Sequence, residues 1–280
     1  NIFNMDMLKS KNTHPRDSRI SFVDDTHTYY IDGSSNGYIS STTLIHTLFP
    51  KFDADLVIGK MMKSKNWRRS PYFGMTPDQI KEKWEKNRDS AAEQGTRMHE
   101  NIEKYYNGVE HETNSKEFDM FKKYCNDHTS LEPFRTEWEI FDEDALIAGS
   151  VDMIYKDPNN PGSIIIADWK RSKEIKMDNR WQKGTDELTR NMDDCNFNHY
   201  SLQLALYKNI LEKKYNQKVS GTFLVILHPN QKEYIKLVTR DMDSVVQRII
   251  DRRMGIKVEP VPLWDSLFEF SDDTIVSLQS

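Results

Sequence analysis

Cysteine is scarce in this chain: Cys125 and Cys195 are the only two among 280 residues. Two thiols exclude a disulfide scaffold and suit a reducing, intracellular compartment. Long apolar runs are missing as well. No stretch approaches the roughly 18 residues that a membrane helix needs, so no membrane partner is expected. The opening Asn1-Ile2-Phe3-Asn4-Met5-Asp6 lacks the charged-then-apolar order of a secretory signal. With no initiator Met, the numbering is expected to begin inside a longer protein. Internal repeats and low-complexity tracts are absent. What is present, 37% hydrophobic and 30% charged residues, suffices at this length for one large domain, or one domain with an appendage.

The net charge of −5 makes no case for a nucleic-acid partner, but its distribution does. Residues 56–77 contain no acid, while Lys60, Lys63, Lys65, Arg68 and Arg69 fall among them, interleaved with Trp67, Tyr72 and Phe73. Positive charge tracks a phosphate backbone and aromatic faces stack on unpaired bases. Lys65, Trp67, Arg68 and Arg69 are therefore candidate contacts; a solvated helix face followed by core aromatics would give the same pattern. A second basic run holds Arg171, Lys173 and Lys176.

The densest chemistry lies between residues 149 and 170. Residues 145–155 and 163–169 read as strands rich in Ile and Val, separated by the turn formers Asp157-Pro158-Asn159-Asn160-Pro161-Gly162. A hairpin of the two would bring Asp152 and Asp168 to the same end of a sheet. Two converging carboxylates make a hard, oxygen-lined site for a divalent cation. Lys170, two residues after Asp168, shares its strand face. By themselves these three residues are equally compatible with solvated strand-end charges.

Elsewhere the pattern predicts a hairpin of 19–23 with 28–31, a Ser/Thr helix cap at 40–43, and helices over 53–62 and 76–87. Another helix, carrying His99, begins within 88–92 and ends at Gly108. Further helices are expected over 117–127, 197–215 and 242–254, and strands over 134–141, 219–227 and 233–239. Residues 180–196 read as a flexible loop.

Four motifs occur in order: Gly95-Thr96-x-x-His99, Gly149-x-x-Asp152, Asp168-x-Lys170 and Gln203-x-x-x-Tyr207. Over residues 90–239 this set resembles the PD-(D/E)XK nucleases of the RecB-like branch, which includes phage and viral exonucleases, Cas4-like proteins and the mitochondrial genome-maintenance exonuclease. The resemblance implies an α/β fold: a restriction-endonuclease-like αβββαβ core with a mixed sheet flanked by helices, the active site at one sheet edge, and a mainly helical N-terminal region. Residues 1–88 would flank the DNA path, 89–255 form the nuclease core, and 256–280, with Pro260, Pro262 and Trp264, form a tail.

The same resemblance assigns roles. His99, Asp152, Asp168 and the backbone carbonyl of Trp169 would bind Mg²⁺ or Mn²⁺, the imidazole favouring the softer ion. Lys170 would position or help deprotonate the attacking water and offset charge on the phosphorane, and Gln203 and Tyr207 would orient the lysine, the nucleophile or the DNA strand. Apart from the resemblance, Glu103 is either a support for His99 or a solvated helix acid, Glu137, which alternates with Glu139 on one strand face, would be a further acid near the metal, and Gly149 would let the backbone turn tightly. Many Cas4-like relatives hold an iron-sulfur cluster on about four thiolates; with two, no such cluster is expected here. The expected activity is metal-dependent, exonucleolytic cleavage of DNA at its ends, with single-stranded ends or flaps as substrates, in replication, recombination, repair or defence, the DNA being gripped by Lys65, Trp67, Arg68, Arg69, Arg171 and Lys173. A homo-oligomer or a repair or defence partner is compatible with it. A nucleic-acid-binding subunit with little catalysis, or an RNA endonuclease of the same fold, are the alternatives.

Overall fold

The computed structural model describes residues 6–261. Pro262 and Trp264 of the expected tail lie outside the described residues. Along the chain run α1 (Met7–Lys11), β1 (Ile20–Val23), β2 (Thr28–Ile31), β3 (Ile39–Ser40), α2 (Ser41–Thr47), α3 (Ala54–Met62), α4 (Pro77–Tyr106), α5 (Lys116–Asp127), β4 (Glu132–Asp142), β5 (Ile147–Lys156), β6 (Ile164–Lys170), α6 (Asn196–Lys214), β7 (Val219–Ile226), β8 (Ile235–Val238) and α7 (Asp243–Arg253). Short 3₁₀ turns occupy Pro15–Arg19 and Trp67–Arg69. From α4 onward the order follows the expected αβββαβ core, with α5 inserted before β4, and β8 and α7 appended.

One helix replaces two expected ones. Pro77–Tyr106 is continuous over 30 residues, opened by a Thr76–Gln79 capping box and closed at Asn107-Gly108. Between Pro77 and Gly95 no proline or glycine interrupts it, and Ala91 and Ala92 favour helix strongly. Gly95 inside the helix costs only about 1 kcal/mol, too little to break it. Residues 88 and 89, where the sequence suggests a division, therefore lie mid-helix.

The main sheet is mixed. β5 pairs antiparallel with β4 along its length. On its other side it pairs with β3 in parallel at Ile147 and Ala148, and with β6 antiparallel from Met153 to Lys156. Between Ala148 and Met153, β5 is paired on one side only. β7 then joins β6 in parallel and β8 closes the edge antiparallel. The gap beside β5 lies in the sheet interior, where β3, β5 and β6 part. Asp152 and Asp168 sit at this fork, which corrects the expectation of a site at a lateral edge. The sequence signals only a helix cap at the two-residue strand β3; Ser40 does both, ending β3 and capping α2 through Thr43 N–H.

Strand alternation divides the core. Ile164, Ile166, Leu224 and Ile226 face α6 and α7, against Leu202, Leu206, Ile210, Val246 and Ile249. Ala167, Trp169, Phe223 and Val225 face α4 and α5, against Met98, Ile102, Phe118, Phe121 and Tyr124. Each such buried side chain contributes roughly 1.5–3 kcal/mol, so both layers hold the strands that carry the acids. Cys195 lies in the first layer and Cys125 packs on the second.

Candidate functional site

The fork collects side chains from four elements. Asp152 comes from β5, Asp168 and Lys170 from β6, His99 from α4 and Glu137 from β4. Burial of Met98 and Ile102 on the sheet fixes the roll of α4 and turns His99 toward the strand ends. His99 Nε2 lies 2.9 Å from the Trp169 carbonyl oxygen, to which it donates. Its Nδ1 lies 3.5 Å from Asp152 Oδ2 and 3.6 Å from Glu137 Oε1. Asp152 Oδ2 also accepts the Trp169 N–H at 2.9 Å, tying β5 to β6 where their ladder ends.

Asp168 is 1% exposed, and neither carboxylate oxygen accepts a hydrogen bond of acceptable angle. Its one close partner is Lys170 Nζ, 2.6 Å from Oδ2. Burial and the Asp152 charge push the Asp168 carboxyl up to about 6. Burial likewise raises Asp152, against the pull of His99. Burial alone would strip His99 of its proton, but the Asp152 and Glu137 charges outweigh it and push the ring up to about 9. Lys170 shows the same balance, the carboxylates overcoming burial and holding its ammonium above the ordinary value. Its Nζ stands 4.7 Å over the Tyr200 ring on α6.

This donor set fits a divalent cation. His99, Glu137 and Asp152 each offer a ligand atom, all within 4.8 Å of one another. With the imidazole neutral, the carboxylates of Asp152, Asp168 and Glu137 face the single ammonium of Lys170, leaving two negative charges to be matched. The under-bonded oxygens of Asp168 and the Trp169 carbonyl are the hard donors such an ion takes.

Gln203 and Tyr207 are brought together, Gln203 Nε2 donating to Tyr207 Oη at 2.9 Å. Tyr207 is buried, and its ring covers Gly149: a Cβ there would lie 2.5 Å from Tyr207 Cε1 and 3.0 Å from Ser41 Oγ. Gly149 thus makes room for a ring in the gap beside β5. It lies within a strand, so the tight turn expected there is absent.

Residues missed or underweighted in the sequence also line the site. Glu137 carries a left-handed φ of 41° inside β4, a conformation costing a non-glycine residue on the order of 1–2 kcal/mol. Ser150 Oγ donates to its Oε2 at 3.1 Å. Strand alternation does point to Glu137 as an acid near the metal; nothing in the sequence marks its φ. Glu103, one turn beyond His99, is pushed up to about 7 by burial and by Glu137. A cleft of about 560 Å³ opens beside His99, walled by Phe22 and Tyr29 of the β1–β2 hairpin and by Gly95, Thr96 and Glu137.

The proposed DNA contacts lie in two places. Lys65, Arg68 and Arg69 are exposed around the 3₁₀ turn, with Trp67 half-buried and edge-on to Phe73 at 5.9 Å. Tyr72 and Phe52 anchor this segment on Trp84 of α4, both at 5.9 Å. Trp84 precedes His99 by 15 residues, so the anchor stands on the order of 20 Å from it along the helix. Nearer the site, Arg171 Nε is bound to Glu117 Oε1 at 2.7 Å, both side chains being mostly buried. Lys173 is exposed. On the loop after β6, Trp181 is 97% exposed. That loop is held by the Lys183–Asp193 pair and by Asn179 donating to the Asp194 carbonyl, more tied down than its composition suggests.

The family model described as the PD-(D/E)XK nuclease superfamily matches residues 43–267. The chain belongs to the PD-(D/E)XK nuclease superfamily. Members are phosphodiesterases that act on nucleic acid with divalent metals, and this match extends beyond residues 90–239, which carry the four motifs. Among solved structures, SSO0001 aligns at 12% identity over 81% of this chain and 80% of its own, with a TM-score of 0.33. An exonuclease candidate from Eubacterium rectale aligns at 15% identity over 78% of this chain and 77% of its own, at 0.34. No curated protein matches. No helix among the described residues is long and apolar enough to cross a membrane.

Proposed function

We propose that this PD-(D/E)XK nuclease hydrolyses DNA at free, single-stranded ends with Mg²⁺ or Mn²⁺, within a reducing intracellular compartment and in the RecB-like branch of the superfamily. The observation that carries the reading is the convergence of His99, Asp152, Asp168 and Lys170 at the fork of β5 and β6. His99, Asp152, Asp168 and the Trp169 carbonyl are the residues that would hold the ion. When bound, such an ion lowers the pKa of a coordinated water and polarises the phosphoryl oxygen.

The protein's own groups supply the rest. In the metal-free site Asp168 and Asp152 hold the Lys170 ammonium above its ordinary value; beside a bound ion Lys170 would position or help deprotonate the attacking water and offset charge on the phosphoryl oxygens. Tyr200 and Asp168 hold that ammonium from two sides. The Gln203–Tyr207 pair supports the backbone at Gly149, three residues before Asp152. Lys65, Arg68, Arg69 and Lys173 supply exposed positive charge for a phosphate backbone, and Trp67 and Trp181 supply aromatic faces for unpaired bases. Arg171 serves instead to pin the end of β6 to α5 through Glu117.

End-labelled single-stranded DNA, double-stranded DNA and RNA, with circular controls, test the reading. Metal-dependent loss of label from linear single strands is expected, with circles spared. Lys170→Ala should cut the rate by on the order of 10²–10⁴-fold, the scale of a positioned proton-transfer or charge-stabilising group. Cleavage of circles as fast as linear strands would overturn end specificity, and preferential cleavage of RNA would overturn the substrate.

A further inference from the structure

We infer that Glu137 is a positioning residue for the metal centre: its carboxylate takes the Nδ1–H of His99 and so presents Nε2 as the ligand nitrogen. The inference rests on the metal reading above and adds a residue to it. The two ring nitrogens of His99 have different surroundings. Nε2 faces the Trp169 carbonyl at 2.9 Å, the oxygen expected to share the ion. Nδ1 faces carboxylates, Glu137 Oε1 at 3.6 Å and Asp152 Oδ2 at 3.5 Å. Asp152 Oδ2 already accepts the Trp169 N–H and belongs to the proposed ligand set; the carboxylate of Glu137 lies within 4.8 Å of the same donor atoms, and in this assignment it serves His99 rather than the ion. A metal-bound histidine generally donates its second N–H to a carboxylate or carbonyl, which fixes its tautomer and ring orientation.

The surroundings of Glu137 are built to hold it. Ser150 Oγ donates to its Oε2 at 3.1 Å, leaving Oε1 toward the ring. On either side of it in β4, Arg135 and Trp138 are both anchored on Asp17, by Arg135 Nη1 to Oδ2 at 2.9 Å and Trp138 Nε1 to Oδ1 at 2.8 Å. These anchors keep the strand in place through the left-handed φ of 41° at Glu137. A backbone strained at one residue, and clamped on both sides of it, is a recurrent mark of a functional position.

The test is Mn²⁺ binding by calorimetry, with melting temperature beside it. Glu137→Gly suits the left-handed backbone, so the fold should keep or gain stability while Mn²⁺ affinity falls by on the order of 10–100-fold, the usual effect of losing such a support. Glu137→Gln can still accept the Nδ1–H and should bind within a few-fold of wild type. Wild-type affinity in Glu137→Gly would overturn the inference. Equal losses in both variants would also overturn it, making the charge of Glu137 a direct ligand. Absence of Mn²⁺ binding in the wild type itself would sink the metal reading and this inference together, a result distinct from the other two.

Discussion

Gly149→Ala tests how α6, the helix that follows β6, is seated on the sheet. The new Cβ would meet Tyr207 Cε1 at 2.5 Å, whereas carbon atoms settle at roughly 3.5–4.0 Å. Either the ring retreats by about 1 Å or β5 bows away, and neither is free to do so. Tyr207 is 3% exposed and Gln203 holds its hydroxyl; β5 is paired with β4 at Gly149 and at the residues on either side of it. Overpacking of this kind costs about 1–3 kcal/mol, and loss of the Gln203 hydrogen bond adds on the order of 1 kcal/mol. At roughly 2–4 °C per kcal/mol for a domain of this size, the melting temperature should fall by about 2–15 °C. Calorimetry on Gly149→Ala, Tyr207→Leu and the double variant separates packing from backbone effects. Removing the ring should relieve the clash, so the double variant should be more stable than the sum of the singles by about 1 kcal/mol or more. An unchanged melting temperature in Gly149→Ala, together with additive behaviour in the double variant, would refute the packing described for α6 over the gap.

Two further outcomes are expected. Asp168→Asn should raise the melting temperature of the metal-free protein at pH 8 while abolishing its shift with Mn²⁺. The sign follows from a carboxyl raised to about 6 in the fold: ionising it destabilises the protein, a penalty absent below its unfolded value near 4, growing between about pH 4 and 6, and complete above. The gain should therefore vanish in melts run near pH 4, and a gain of equal size at both pH values would count against it. For the strand grip, replacing Lys65, Arg68 and Arg69 by Glu should weaken single-strand binding and flatten its log-log salt dependence by roughly 0.7 for each phosphate no longer neutralised. Trp67→Ala should cost about 1–3 kcal/mol of affinity if the indole stacks on a base, whereas a fall in melting temperature with affinity unchanged would make Trp67, edge-on to Phe73, a packing residue only.

Much of the local structure was legible because short-range chemistry encodes it. The turn between β5 and β6 is crowded with Asp, Asn, Pro and Gly, and the strands around it are apolar. The parity of Asp168 and Lys170 places both on the face toward Tyr200. The error at α4 has a local cause as well: a polar stretch over 84–94 reads as a break when only apolar spacing is followed, although its residues favour helix. By contrast, β3 is two residues long and holds only through parallel pairing to Ile147 and Ala148, a partner more than 100 positions away.

The sequence by itself determined the kinds of group available and their order: a histidine on a helix, acids on two successive strands, a lysine two residues on, and a Gln–Tyr pair one helical turn apart. These follow from periods of 2.0 and 3.6 residues, which act within a few positions of one another. The tertiary structure alone decided that the candidate site lies at an interior fork, that Glu137 faces His99, that Arg171 is paired with Glu117, and that Gly149 leaves room for the Tyr207 ring. Each of these depends on which strands pair and where they part. That is set by burial of the two core layers over the whole sheet, a balance to which distant segments contribute and which no local window of sequence contains.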